Sequence, residues 1–305
     1  MRRRFVNALL DATAGRDDFM IISGDAGLGV FDDLRQQRPE AFLNLGIAEQ
    51  NMASFGAGLA LSGYKVVLYN IAPFVLYRCY EQVRNSICYM ELPVVLVGTG
   101  CGLAYAPAGM THYAVEDLGV ARTIPGLTTL SPCDPMEARA AAAYALEADH
   151  PVYVRLAKTG EPELHAAPPA DIRRPQVLRP GRDVGLVVHG PIAVEALKAA
   201  ELLAAAHIDA RVVSVPMVQP LDPAALAEAL AGVRGVVSVE EQFCNCGLGS
   251  RLLMLAGQGL LPLPVRVLAI PDDGFIHHIC TCQSMRTCFG LDAPAIADAA
   301  RDLLA

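Results

Sequence analysis

The chain alternates strand-like apolar runs with helical patterns, and it does so in two series separated by a proline-rich break. The first series has runs at Phe19–Ile22, Lys65–Tyr69, Pro93–Val97, Leu127–Leu130 and Val152–Leu156, with helical patterns over 48–61, 74–89 and 135–147 between them. Asp134 is a good helix cap there and Pro135 suits the first helical position. Residues 160–182 carry Pro162, Pro168, Pro169, Pro175 and Pro180 with little periodicity, which reads as a linker. The second series has strands at Val184–Val188, Arg211–Val215, Val236–Val239 and Val265–Leu268, with helices over 192–206, 223–230, 248–256 and 293–304. Near-continuous apolar strands alternating with helices predict parallel sheets covered on both faces. The expected fold class is therefore α/β: two doubly wound, mostly parallel-sheet domains, at 1–160 and 183–305, joined by a linker at 161–182.

Length and composition agree with this plan. At 305 residues, 53% hydrophobic and 18% charged, the chain can bury two cores. A net charge of −8 offers no attraction to a phosphate backbone, so nucleic acid is not an expected partner. Arg2-Arg3-Arg4 leads into an ordinary helical pattern rather than a signal-peptide core, and no apolar run reaches membrane-span length. The expected location is the cytoplasm. Nine cysteines without a secretion signal argue against a disulfide framework. Cys244, Cys246, Cys280, Cys282 and Cys288, with His277 or His278, leave a thiolate zinc site open, against free thiols.

Ligands of doubly wound sheets sit beyond the carboxyl ends of the strands, so the loops there are the first places to look. Glu49 opens a helix rich in small residues, where it either complements the helix dipole or meets a ligand. Phe74, Tyr77 and Tyr80 recur at i, i+3 and i+6, which predicts one shared helix face. That face is either core or a stacking surface for a flat heteroaromatic ring. The long glycine-rich loop from Gly98 to Tyr113 contains His112, suited to proton transfer or to a substrate oxygen, or else to pinning the loop.

Taken in order, these residues resemble the second half of a transketolase over nearly the whole chain. Gly46-Ile47-Ala48-Glu49-Gln50 resembles the family's catalytic glutamate motif, and Phe74, Tyr77 and Tyr80 resemble its aromatic wall. Thr111-His112 resembles its Thr-His loop, with Met110 and Tyr113 as departures. In the second domain, Pro220-Leu221-Asp222, Glu240-Glu241, Gly247-Leu248-Gly249-Ser250, Pro271-Asp272 with Phe275-Ile276, and Gly290-Leu291-Asp292-Ala293 resemble the domain shared with deoxyxylulose-phosphate synthase. The resemblance implies thiamine diphosphate and Mg2+. Glu49 would then hydrogen-bond the pyrimidine ring nitrogen, while Phe74, Tyr77 and Tyr80 would wall the ring.

The resemblance begins at the family's pyrimidine-binding domain, so the domain that holds diphosphate and metal is expected on a separate chain. Gly24-Asp25-Ala26-Gly27 departs from the Gly-Asp-Gly…Asn motif at Ala26, and Asn51 lies inside a helix pattern; Asp25 is still expected to line the site. The resemblance thus implies a partner, an N-terminal transketolase subunit, in an α2β2 assembly, with the small-residue face of helix 51–61 at the junction. His112 and Arg155 would contact the sugar, Arg155 at its phosphate. Gly100 and Ala108 stand where the family places a histidine and an aspartate, which implies an altered sugar pocket. The implied activity is transfer of a two-carbon ketol unit from a ketose to an aldehyde. The alternative is the β subunit of a 2-oxo acid dehydrogenase first component, or another thiamine-dependent carboligase.

Overall fold

The computed structural model describes every residue from Met1 to Ala305 except Thr159 and His278. Twelve strands among the described residues form two sheets. The first contains β1 (Phe19–Ser23), β2 (Phe42–Asn44), β3 (Lys65–Ile71), β4 (Val94–Thr99), β5 (Thr128–Leu130) and β6 (Val152–Leu156). The second contains β7 (Gln176–Arg179), β8 (Val184–Val188), β9 (Ala210–Ser214), β11 (Val236–Phe243) and β12 (Val265–Ile270), while β10 (Met217–Gln219) leaves the second half to join the first sheet. The orders are β10-β5-β6-β4-β3-β1-β2 and β12-β11-β8-β9-β7. Every strand pairing is parallel except two at sheet edges, β10 on β5 and β7 on β9.

Central strands such as β4 and β8 are buried at every position, which is why they read as unbroken apolar runs. The helices are α1 (Arg2–Ala12), α2 (Asp32–Gln37), α3 (Glu49–Leu61), α4 (Ala72–Leu76), α5 (Tyr80–Gln82), α6 (Asp117–Arg122) and α7 (Pro135–Glu147), then α8 (Ala193–Ala205), α9 (Pro223–Ala229), α10 (Leu248–Gly257), α11 (Cys282–Cys288) and α12 (Ala293–Leu304). One face of the first sheet packs under α1 and α7, the other under α3 and α4. The second sheet lies between α8 with α12 and α9 with α10. Asp134 caps α7 as expected, its side chain accepting from Glu137 N at 2.7 Å.

Three expectations change. The segment 74–89 is not one helix: α4 stops at Leu76, a turn follows, and α5 gives way to a π-helical stretch over Val83–Cys88. The break removes the basis for a single aromatic face. The segment read as linker contributes a strand, β7, to the second sheet. On α3, Ala53, Gly56, Ala57 and Ala60 are buried within this chain; a Cβ on Gly56 would meet Leu68 Cδ2 at 2.7 Å. The small residues therefore let α3 approach its own sheet, and the outward face carries Gln50, Ser54, Phe55, Gly58 and Leu61.

The halves are joined by a buried polar network as well as by β10. Arg155 Nε and Nη2 donate to the Asp117 carboxylate at 2.5 and 2.9 Å. Arg155 Nη1 reaches Ser131 Oγ at 2.9 Å and lies 3.3 Å from His189 Nδ1, while Nη2 also donates to Ala114 O at 3.3 Å. His189 Nε2 lies 3.1 Å from Glu240 Oε2, and Glu240 accepts from Leu248 N and Gly249 N at the start of α10. Gln242 Nε2 donates to Asp117 Oδ1 at 3.0 Å from the second half. Each buried charge has partners, as burial demands.

Candidate functional site

A cavity of about 510 Å3 opens beyond the carboxyl ends of β1, β3 and β4. Its lining comes from the loop after β1 (Gly24 to Leu28), from Asn70 and Ile71 on β3, from Thr99 on β4, and from Glu49, Phe74, Arg78, Tyr105 and His112. This is where a doubly wound sheet places ligands.

Glu49 is delivered by a tight turn. Gly46 adopts φ 71°, a conformation that costs glycine little, and α3 starts three residues later. As the first residue of α3, the Glu49 carboxylate sits at the positive end of the helix dipole and is 3% exposed. Asn70 Nδ2 donates to Gly24 O at 3.2 Å and lies 3.4 Å from Glu49 Oε1, tying the β1 loop to the acid. Only glycine fits at position 24, where a Cβ would collide with Asn70 Nδ2. Asp25, at φ 60°, is held by Asn44, whose Oδ1 accepts from Asp25 N at 2.9 Å and whose Nδ2 donates to Asp25 Oδ1 at 3.2 Å.

The structure adds a residue that sequence reasoning misses. Arg78 Nη1 lies 2.9 Å from both Glu49 oxygens, and the guanidinium stacks over Phe74 with Cζ 4.5 Å from the ring centroid. Arg78 is 45% exposed, so it can shift when a ligand claims one carboxylate oxygen. An arginine four residues after an aromatic on a helical pattern looks like a solvated face. Only the tertiary position of Glu49 reveals its task.

Phe74 and His112 pack edge to face, their centroids 5.5 Å apart, and Tyr105 lies 5.9 Å from the imidazole. Thr111 Oγ1 is 2.8 Å from His112 Nδ1, which assigns the ring's remaining chemistry to Nε2. Cations border the cavity: Arg2 lines it, and Lys158 Nζ sits 4.8 Å over the Tyr105 ring.

The structure thus brings together Asp25, Glu49, Phe74 and His112, and it separates Tyr77, Tyr80 and Arg155 from them. Tyr77 and Tyr80 line a second cavity of about 560 Å3 with Glu116, Val120 and Phe243. Their hydroxyls are engaged, Tyr77 donating to Glu116 Oε2 at 3.2 Å and Tyr80 lying 2.9 Å from Thr123 Oγ1. Burial, reinforced by Asp117 and Glu116, pushes the Tyr77 phenol far up, so it stays protonated. The turn after Leu76 causes the separation. Arg155 is 2% exposed with its donors spent on the network between the halves, so the geometry gives it no sugar phosphate to receive.

Among the described residues, no three ligand atoms of the second-half cysteines and His277 gather closely enough to hold a metal. Cys246 packs against Gly119, and Cys282 Sγ faces Glu241 Oε1 at 3.7 Å. Cys133, Glu137 and His165 are instead the described residues whose ligand atoms gather; His278 lies outside the described residues.

The cavity fits an aminopyrimidine on one side. A buried carboxyl can share a proton with a ring nitrogen, Phe74 offers an aromatic face, and Leu28 and Ile47 line the opening at 92% and 76% exposure.

The chain matches two family models, "Transketolase, pyrimidine binding domain" over residues 1–161 and "Transketolase, C-terminal domain" over 174–296. It is 34% identical over 307 residues to an apulose-4-phosphate transketolase subunit of Actinobacillus succinogenes, covering 99% of this chain and 96% of that one. It is 32% identical to the 6-deoxy-6-sulfo-D-fructose transketolase subunit of a Clostridium species, covering 99% and 94%. A split-gene transketolase solved as an inactive β4 tetramer superposes with a TM-score of 0.89 at 32% identity, covering 99% and 97%. These relatives favour the transketolase reading over that of a 2-oxo acid dehydrogenase component.

Proposed function

The chain belongs to the transketolase family, and we propose that it is the C-terminal subunit of a split enzyme that moves a two-carbon ketol unit from a ketose to an aldehyde. The chain divides at residues 160 and 183 into a pyrimidine-binding domain and a C-terminal domain. The observation that carries the reading is the buried Glu49 carboxylate on a cavity whose opening exposes Leu28 and Ile47. Exposed apolar side chains around a site mark a surface that another chain covers. The site is therefore half of one, completed by an N-terminal subunit that holds diphosphate and Mg2+ in a cytoplasmic α2β2 assembly.

Thiamine diphosphate, when bound, supplies the electron sink for breaking and forming the carbon–carbon bond. Residues of this chain do the rest. Glu49 holds a proton against the pyrimidine ring nitrogen, at a carboxylate oriented by Arg78 and Asn70. Phe74 provides a stacking face, and Asp25 closes the β1 side. His112 Nε2 exchanges a proton with a substrate oxygen, while Thr111 engages Nδ1 and holds the ring in place. Arg2 and Lys158 suit a ketose bearing an anionic group, consistent with the phosphate and sulfo groups in the relatives' names.

The test uses Glu49→Gln in the complex reconstituted with the N-terminal subunit. Cofactor binding is retained, and hydrogen–deuterium exchange at the thiazolium carbon, followed by NMR, slows by about 10²-fold or more. Exchange at the wild-type rate would remove Glu49 from this role.

A further inference from the structure

Where the first domain meets the linker, a group of side chains lies outside the Glu49 site. Cys133 and Glu137 flank the start of α7, and His165 comes from the proline-rich segment. One ligand atom from each lies within 4.8 Å of the other two. Cys133 and Glu137 are 1% and 0% exposed, and the His165 side chain 16%.

The local hydrogen bonding is incomplete. Glu137 Oε2 accepts from Cys133 N at 2.7 Å, while Oε1, with the Cys133 thiol and the Ser214 hydroxyl beside the carboxylate, has no well-aligned donor. His165 Nδ1 lies 3.1 Å from Asp134 Oδ2 and Nε2 lies 3.7 Å from Glu137 Oε1, yet neither nitrogen is in hydrogen-bonding geometry. A buried carboxylate oxygen left bare is costly. A proton on the imidazole, a proton held by Glu137 itself, whose pKa burial raises, or a cation between the groups relieves it.

We propose that Cys133, Glu137 and His165 bind a divalent transition-metal ion, best matched by Zn2+, with Asp134 orienting the histidine from behind. A thiolate, an imidazole and a carboxylate form a zinc-type donor set. Two donors bonded at ~2.0–2.1 Å to a tetrahedral ion stand roughly 3.3 Å apart, so the 3.7 Å between His165 Nε2 and Glu137 Oε1 needs little closure. Asp134 Oδ2, 3.1 Å from Nδ1, stands where a small turn of the ring gives the carboxylate–histidine–metal arrangement and leaves Nε2 for the ion. Leu164 N and His165 N both donate to Asp134 Oδ2, at 2.7 and 2.8 Å, so the backbone presents the imidazole. The thiolate and carboxylate neutralise the ion. A thiol must lose its proton to bind the ion, so binding strengthens as pH rises. The ion fastens the linker to the first domain.

The competing state is a protonated His165 between Asp134 and Glu137, which Asp134 favours by raising the imidazole's pKa. Titrating the metal-stripped full chain with Co2+ separates the two. One equivalent binds with a thiolate-to-cobalt charge-transfer band, Cys133→Ser abolishes that band, and Zn2+ but not Mg2+ raises Tm. His165→Gln, at a partly exposed position, weakens Co2+ binding at least about tenfold and serves if the serine variant does not fold. Absence of the band in the wild type overturns the site. So does an identical band in Cys133→Ser, which places the ion on other cysteines, or unchanged affinity in His165→Gln.

Discussion

At the residue scale, the same strand ends yield two kinds of charged group. Glu49 lies at the mouth of the first sheet beside a single movable arginine, whereas Arg155 lies under a lid of its own partners. Resemblance alone assigns Arg155 to the sugar; the structure assigns it to the joint between the halves. Arg155→Ala would leave Asp117 buried without its cation, at a cost of about 3–5 kcal/mol. The expected outcome is a large fall in the urea midpoint with KM for the sugar phosphate unchanged in the folded fraction. A raised KM with unaltered stability would restore the phosphate role. Glu49, Phe74 and His112 are legible in the sequence because each falls in a motif of the resembled family, and the fold brings all three to one cavity. Arg78 is not, since its partner is 29 residues away in the chain and nothing local distinguishes it from a surface arginine.

At the element scale, legibility follows burial. Strands such as β4, β6 and β8 announce themselves because both faces are covered and nearly every residue is apolar or small. The edge strands β2, β7 and β10 are short and partly exposed, so their identity rests on a neighbouring strand rather than on their own pattern. The stretch from Phe74 to Tyr89 has helical spacing throughout, and its change to a π-helical turn follows from packing. The start of α10 offers a test of local design. A Cβ on Gly247 would collide with Glu240 Oε2, displacing the carboxylate from the α10 amides and from His189. Gly247→Ala should therefore cost about 1–3 kcal/mol. Gly257→Ala, at the open end of the same helix, should be neutral or gain up to about 1 kcal/mol. Equal Tm values for the two variants would contradict this reading of α10.

At the scale of the whole molecule, two parallel sheets are locked together by β10, which crosses to pair antiparallel with β5, and by the Asp117–Arg155–His189–Glu240 network. No described helix is long and apolar enough to cross a membrane. On the proposed reading the joined body presents half a site, with the Glu49 carboxylate and the Phe74 ring on one side and the exposed Leu28 and Ile47 facing where the N-terminal subunit would lie. The account stands on that incompleteness. Its most direct test is ketol transfer from a ketose to an aldehyde, assayed with thiamine diphosphate and Mg2+ for the purified chain alone and after titration with the N-terminal subunit. The account predicts no turnover alone and activity that saturates at one partner chain per chain. Turnover by the chain alone, or release of carbon dioxide from a 2-oxo acid by the reconstituted pair without ketol transfer, would contradict it.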